Sequence, residues 1–383
     1  MYAVDKANFR VVKLNLATGA FIGAIGNATS LAIGSTCVLG KQTNWCTGGK
    51  FGSGGIDGSF SDPMKVIIDV AGNLMYVGDG GNGRIQKFTL STGALIGAIG
   101  YSTTTAGTCV AGKQAGWCAG GTLTGSSIDG GLNQVNGMAI DFVHNSIFVV
   151  DYNKRVQKFT LSTGAFVGSI GNSTATGTCV AGKQNGWCTG GTFSWASIDG
   201  GFYFETSVVV DPTNDFLYVG ESANTRVQKF VASTGAFVGA IGKSTASGTC
   251  IAGAQTSWCT GGAFVAGSGD GEFPNLSVLG IDAVKGTLYV GDYSGRIQKF
   301  NLSTGAFVGA IGNSTASGTC LNGKQKNWCS GGTYTQGTEN GFIGSISDIV
   351  VDSAKNRMFI ADAGNSRIRF IDRLINKFFR DAQ

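Results

Sequence analysis

The chain is one short motif written six times. Tyr2-Ala3-Val4-Asp5 is followed by Tyr76-Val77-Gly78-Asp79, Phe148-Val149-Val150-Asp151, Tyr218-Val219-Gly220-Glu221, Tyr289-Val290-Gly291-Asp292 and Phe359-Ile360-Ala361-Asp362. An arginine stands four or five residues after each acidic position, at Arg10, Arg84, Arg155, Arg226, Arg296 and Arg367. The period of about 70 residues takes precedence over length: 383 residues would otherwise suggest two or three domains. Within each period, short segments rich in β-branched and aromatic residues alternate with Gly, Asn, Asp and Ser clusters, the punctuation of strands and turns and not of helices.

In the second unit the strands are predicted at 65–70 (a), 74–78 (b), 84–90 (c) and 94–99 (d). Val66-Ile67-Ile68 is continuously apolar, as expected for a strand covered on both faces. One four-stranded sheet cannot cover both of its own faces. Radial repetition packs each sheet on the next and limits exposed edges. The expected fold is all-β, a six-bladed β-propeller of four-stranded antiparallel blades with disulfide-closed loop insertions, forming a single domain over 1–383. The blades fall near 1–26, 64–100, 137–171, 206–242, 277–312 and 346–383. The inserted loops fall near 27–63, 101–136, 172–205, 243–276 and 313–345.

The run Asp270-Gly271-Glu272-Phe273-Pro274, Gly280-Ile281-Asp282, Leu288-Tyr289-Val290-Gly291-Asp292, Arg296-Ile297-Gln298-Lys299-Phe300 and Gly305 resembles an NHL repeat. The likeness recurs in all six units and implies a six-bladed propeller. The chain departs from that pattern by an insertion of about thirty residues between strand d and the next strand a, and by the loss of proline in most units. The insertion would cover or replace the binding face familiar in that family.

Ring closure is incomplete in the sequence. The chain opens on a strand b at Tyr2, and 374–381 is the candidate last strand. The first blade thus lacks a strand a, which leaves three routes: the C-terminal tail supplies it, a neighbouring chain donates it, or the chain is trimmed. Internal closure or trimming is favoured over donation, which would build head-to-tail filaments.

Ten cysteines form five pairs at one spacing, Cys37/Cys46, Cys109/Cys118, Cys179/Cys188, Cys250/Cys259 and Cys320/Cys329. Without a CxxC pattern they read as local disulfides and not as zinc ligands. Five bridges imply an oxidising compartment, so the protein is expected to be extracellular or at the cell surface. A secretory signal would then have been removed or lie outside this chain. A tryptophan precedes each second cysteine (Trp45, Trp117, Trp187, Trp258, Trp328). These indoles are a candidate ligand face for sugars; the favoured reading is a plug packed on the disulfide of its own loop.

Asn-x-Ser/Thr triplets make Asn27, Asn172, Asn275, Asn301 and Asn313 glycosylation candidates, and Asn27, Asn172 and Asn313 share one place just after strand d. Lysines recur in the loops (Lys41, Lys113, Lys183, Lys324) and on strand c (Lys13, Lys87, Lys158, Lys229, Lys299). They read as a solvated face. The aspartates closing strand a (Asp69, Asp141, Asp211, Asp282, Asp352) read as acceptors within their own turn, against an alternative carboxylate ring for calcium. Asp79 with Arg84, and its repeats, suit an ion pair between strands or blades.

Composition narrows the function. Charged residues are 13% of the chain against 64 glycines, the net charge is +5, and His144 is the single histidine. Zinc sites that need several imidazoles, such as those of the peptide-processing lyases of the resembling family, are excluded. No run approaches the roughly 18 apolar residues of a membrane span. Catalysis needs unlike residues at one place, whereas here the notable polar residues recur with the fold. No enzyme activity, cofactor or metal is therefore expected. The leading expectation is a non-catalytic extracellular structural or interaction propeller, a glycosylated subunit of a surface fibre, coat or matrix. Its partners would be proteins, including its own copies, with glycans attached or bound and nucleic acid disfavoured. The alternatives are a glycan- or peptide-binding receptor or adhesin, and a calcium-dependent lactonase or esterase.

Overall fold

The computed structural model describes residues 1–325, 327–339 and 342–372, with 377–382 as backbone. The chain forms two compact units, Met1–Ala181 with Trp187–Ser194, and Gly182–Gly186 with Trp195–Gln383. Among the described residues every paired strand is antiparallel, and the only helical segments are three single 3-10 turns. The fold is all-β and of propeller type: blade sheets follow one another along the chain, three in each unit.

In the first unit the first sheet holds strands b, c and d (Tyr2–Asp5, Arg10–Leu14, Phe21–Leu31). The second holds a to d at Pro63–Asp69, Leu74–Asp79, Arg84–Thr89 and Leu95–Ser102. The third runs Val135–Asp141, Ser146–Asp151, Arg155–Thr160 and Phe166–Ser173. The second unit repeats the plan with Glu205–Asp211, Phe216–Glu221, Arg226–Val231 and Phe237–Ser244, then Leu276–Asp282, Thr287–Asp292, Arg296–Asn301 and Phe307–Ile311. Ile346–Asp352, Arg357–Asp362, Arg367–Asp372 and Lys377–Ala382 complete it.

Side-chain alternation sends successive residues of strand b to opposite faces. Met75 and Val77 face the first sheet with Val11, Ile25, Phe60 and Phe88, while Tyr76 faces the third with Ile85, Ile99, Met138 and Phe159. The second unit uses the same scheme. Tyr218 packs with Val227, Leu279 and Phe300, and Tyr289 with Ile297, Ile349 and Met358.

Strand d bulges at its start, where the register shifts between Lys87 and Phe88. It turns away at Gly100, whose φ of +148° suits only glycine; a Cβ there would stand 2.7 Å from the Gly83 carbonyl oxygen. Beyond that turn strand d continues, and the insertion folds back onto it. Tyr101 and Ser102 pair with Gly112–Lys113 on one side and Leu123–Thr124 on the other.

One expectation is corrected here. Strand a of the second sheet is not covered on both faces: Val66 and Ile67 are half-buried and Ile68 is 36% exposed. Ile68 shares the face of Val66, which meets the first sheet. Lys377–Ala382 pairs with Arg367–Asp372 as strand d of its own sheet, and among the described residues Tyr2–Asp5 pairs with Arg10–Leu14 alone. Residues 374–376 of the expected last strand lie outside the described residues.

Candidate functional site: repeated polar networks and an unrepeated surface

The recurrent acid and arginine form a buried network. Asp79 and Arg84 sit opposite each other on strands b and c, with Arg84 Nε 2.9 Å from Asp79 Oδ2 and both side chains wholly buried. The other guanidinium nitrogens donate to the carbonyls of Gly55, Ile56 and Ser59 in the preceding insertion, each at 2.9 Å. Gln86 adds a donor to Ser59 O at 2.7 Å and accepts from Gly58 N at 2.8 Å. Asn82 bridges Asp79 to Gly54 O. The pair thus anchors the insertion to the sheet that follows it. Glu221 and Arg226 (2.6 Å) and Asp292 and Arg296 (2.8 Å) repeat this arrangement. Burial pushes the Asp79 carboxyl above its usual range, against the opposing pull of Arg84, Asn82 and Ser61.

A second acid, not singled out from sequence, clips one insertion to the next. Asp57 Oδ2 accepts from Gly120 N at 2.6 Å, Asp129 from Gly190 N at 2.7 Å, Asp199 from Gly261 N and Asp270 from Gly331 N, both at 2.8 Å. The recurrent Asp-Gly pair was the available signal. Its donor lies more than sixty residues away, so spacing alone could not supply the partner.

All five cysteine pairs are bonded as spaced: Cys37–Cys46, Cys109–Cys118, Cys179–Cys188, Cys250–Cys259 and Cys320–Cys329, with Cα separations of 4.8 to 5.0 Å. The second cysteine of each pair does more than close a loop. Cys46 bridges Ala24 of strand d in extended antiparallel geometry, Cys118 bridges Ala98, Cys188 bridges Ser169, Cys259 bridges Ala240 and Cys329 bridges Ala310. Each exchanges two backbone hydrogen bonds with its partner; Cys188 N to Ser169 O is 3.0 Å, Cys259 N to Ala240 O 3.1 Å and Cys329 N to Ala310 O 3.0 Å. The blade edge thus gains one further pairing, which the cysteine spacing could not reveal.

The tryptophans do not pack on the disulfides, which corrects the expected plug. Because Cys46 is extended, its neighbour Trp45 faces the opposite side. The disulfide Cys37–Cys46 packs with Ala24, Ala28 and Phe51, whereas Trp45 packs into the core between the first and second sheets. Its Nε1 donates to Leu90 O at 3.0 Å, as Trp117 Nε1 does to Leu161 O and Trp258 Nε1 to Leu302 O. Trp187 lies tilted against Phe148 and Trp328 against Tyr289, at ring-centroid distances of 5.7 Å. All five indoles are half-buried between elements and do not form an open ligand face.

The strand c lysines are likewise not a solvated row. Lys13, Lys87, Lys158 and Lys229 each place Nζ within 5.8 Å of a strand b ring and within 5.6 Å of the loop indole. Lys299 lies over Trp328 at 5.7 Å. Lys229 is only 4% exposed, and burial lowers its ammonium from the ordinary value. The loop lysines Lys41, Lys113, Lys183 and Lys324 are exposed.

The strand a aspartates bind their own turns: Asp69 Oδ1 accepts from Gly72 N, Asp141 from Val143 N and His144 N, Asp211 from Thr213 N, Asp282 from Lys285 N and Asp352 from Lys355 N. His144 Nδ1 rests 2.7 Å from Asp141 Oδ2. Among the described residues no cluster of three His, Cys, Asp or Glu side chains is placed to hold a metal, and no helix is long and apolar enough to cross a membrane.

Three sequons lie elsewhere than expected. Asn27 and Asn172 fall inside strand d, and Asn313 in a short strand continuing it. Asn172 Nδ2 donates to Ser194 Oγ at 2.8 Å and Asn313 Nδ2 to Thr335 Oγ1 at 2.9 Å. Asn275 and Asn301 are exposed. Asn301 Oδ1 accepts from Ser303 N and Thr304 N in the c-to-d turn.

An open cleft of about 670 Å³ in the first unit is lined by Lys113, Asp129, Asn153, Lys154, Thr192 and Phe193. Its carboxylate is engaged by Gly190 N, and Asn153 donates to Ser126 O and Asp151. The parts therefore belong to the repeated framework.

One surface feature is not repeated, and sequence reasoning passed over it. Trp195, Tyr203 and Phe204 form an aromatic triad with centroids 5.1 to 5.6 Å apart. Trp195 is 46% and Phe204 38% exposed. The corresponding positions hold Ser53, Gly125, Ala266 and Gln336 for the tryptophan, Ser61, Asn133, Pro274 and Gly344 for the tyrosine, and Asp62, Gln134, Asn275 and Ser345 for the phenylalanine. The signal was the sixth tryptophan, the one outside the cysteine spacing.

No family model matches the sequence, and no curated protein matches it. Among solved structures, a chain of the crystal structure of the nidogen/laminin complex is similar over 98% of this chain and 90% of its own, at 12% identity and a TM-score of 0.48.

Proposed function

We propose that this chain is a non-catalytic extracellular propeller of NHL-like repeats that acts as a structural interaction subunit of a surface fibre, coat or matrix. The observation that carries the reading is the placement of its repeated chemistry. Acids, arginines, glutamines, tryptophans and disulfides recur in register, and each is engaged in holding a blade or its insertion. A chain that devotes its recurrent polar groups to its own framework is suited to rigidity. Five bridges support an oxidising compartment. The exposed Asn275 and Asn301 are the sequons best placed to carry glycan.

Non-reducing peptide mapping with intact mass on native material tests this. The expected result is all five bridges in the local pairing, with added mass on peptides containing Asn275 or Asn301. Free thiols in protein recovered from cytosol would overturn the reading.

A further inference from the structure

One residue sets the fifth disulfide apart from the other four. A fixed position after the second cysteine of each pair holds Phe51, Leu123, Phe193 and Phe264 in the first four insertions and Tyr334 in the last. Its register does not change, for Ser314 faces Tyr334 as Ser173 faces Phe193. Phe51, Leu123 and Phe193 each pack with the two cysteines of their own insertion. Tyr334 packs in the same way with Cys320 and Cys329, but it adds a hydroxyl. That oxygen lies 3.3 Å from Cys320 Sγ and 3.2 Å from Cys329 Sγ. A disulfide sulfur carries no hydrogen, so the phenol donates.

The hydroxyl matters most when the bridge opens. A neutral disulfide sulfur is a weak acceptor, whereas a thiolate is charged and holds a donor more strongly. In opening by a small thiol, the reductant's thiolate attacks one Sγ, the S–S bond breaks, and its electron pair leaves on the other Sγ as a thiolate. A second reductant thiolate then displaces the protein sulfur from the mixed disulfide, giving two cysteine thiols and one oxidised reductant. Departure is faster the better the leaving charge is held. At the other four bridges the corresponding side chain is a hydrocarbon, and apolar surroundings disfavour a thiolate. Access does not separate the five, since none of the ten cysteines is more than 5% exposed. Burial, with Asp270, pushes the Tyr334 hydroxyl up to about 12, so it remains a donor near neutral pH.

We propose that Cys320–Cys329 is the bridge at which a low-molecular-weight thiol first opens this chain, because Tyr334 donates its hydroxyl to the departing sulfur. The position has a consequence for the framework. Cys329 bridges Ala310 of strand d, and two residues further on Gly331 N donates to Asp270 of the preceding insertion at 2.8 Å. Reduction here therefore acts on the clip between the fourth and fifth insertions. The inference concerns the sulfurs and the phenol and does not rest on the structural reading given above.

The oxidised full chain, exposed to graded glutathione at neutral pH, alkylated at intervals and mapped by mass spectrometry, tests it. Cys320–Cys329 is expected to open roughly 10-fold faster than the other four bridges, and to be half reduced in a correspondingly less reducing glutathione mixture. Tyr334→Phe installs the side chain of three other insertions and is expected to bring this bridge to the rate of the rest, with hydrogen exchange in the fifth insertion as in wild type. Phe193→Tyr is expected to accelerate Cys179–Cys188. Five bridges that open together, a different bridge opening first, or Cys320–Cys329 still opening first in Tyr334→Phe overturns the proposal. Those outcomes leave the structural reading standing, whereas cytosolic protein with free thiols sinks the reading itself.

Discussion

The side chains that matter most to this chain are charged and buried. Arg226 and Glu221 are both excluded from solvent, and the guanidinium also satisfies the carbonyls of Ser197, Ile198 and Gly201. Arg226→Met would strand a buried carboxylate and leave those acceptors unpaired. Chemical denaturation is expected to show a loss of about 3 to 5 kcal/mol. Arg10 pairs with Asp5 at 2.8 Å, but both side chains are 27% exposed, so Arg10→Met is expected to cost no more than about 1 kcal/mol. The tyrosines make a second prediction. Burial, aided by Asp69, pushes the Tyr76 hydroxyl up to about 12, and burial with Asp270 pushes Tyr334 to about 12. The fold favours the neutral phenol, so this stabilisation is complete below the unfolded value of 10.0 and is lost as pH rises through about 12. Ultraviolet difference titration should show these phenols ionising later than free tyrosine. Ionisation together with the exposed tyrosines would contradict the packing.

Within each element, the insertion and the blade are held by different neighbours of one dipeptide. Trp117 belongs to the core between the second and third sheets, and Cys118 to a small cluster with Ala98, Cys109 and Leu123. Replacing Cys109 and Cys118 together by serine should cost about 2 to 3 kcal/mol, and hydrogen exchange should accelerate in 103–122 ahead of the strands. Trp117→Ala should instead cost about 3 to 5 kcal/mol and raise exchange in both flanking sheets. Equal effects on insertion and sheets from the two changes would refute this division. The cysteine pairing could be read from spacing. The direction of the tryptophan could not, because it depends on Cys118 meeting Ala98 as an extended bridge, as Cys188, Cys259 and Cys329 meet their own strand d partners. That contact is made only once the insertion returns to strand d.

For the molecule as a whole, repetition sets the pattern of breakdown. Reduction should open the insertions before the sheets, so limited proteolysis of reduced protein is expected to yield fragments spaced by about 70 residues, while oxidised protein resists. Cleavage within strands b or c at low protease would contradict that order. Reading along the chain was enough for the six-fold motif, for strands b and c to within a residue or two in the second sheet, for the local cysteine pairing and for the turn role of the strand a aspartates. These are local or periodic features, set by alternation, turn chemistry and short loop closure. Folding in three dimensions was needed to show that strand a of the second sheet is only partly covered, that the tail pairs with its own sheet, and that the second cysteines extend the blade edge. It also turned the lysines onto rings and brought Trp195 beside Tyr203 and Phe204. Those outcomes depend on which distant segments meet, and burial, not spacing, chooses between the two sides that every strand offers.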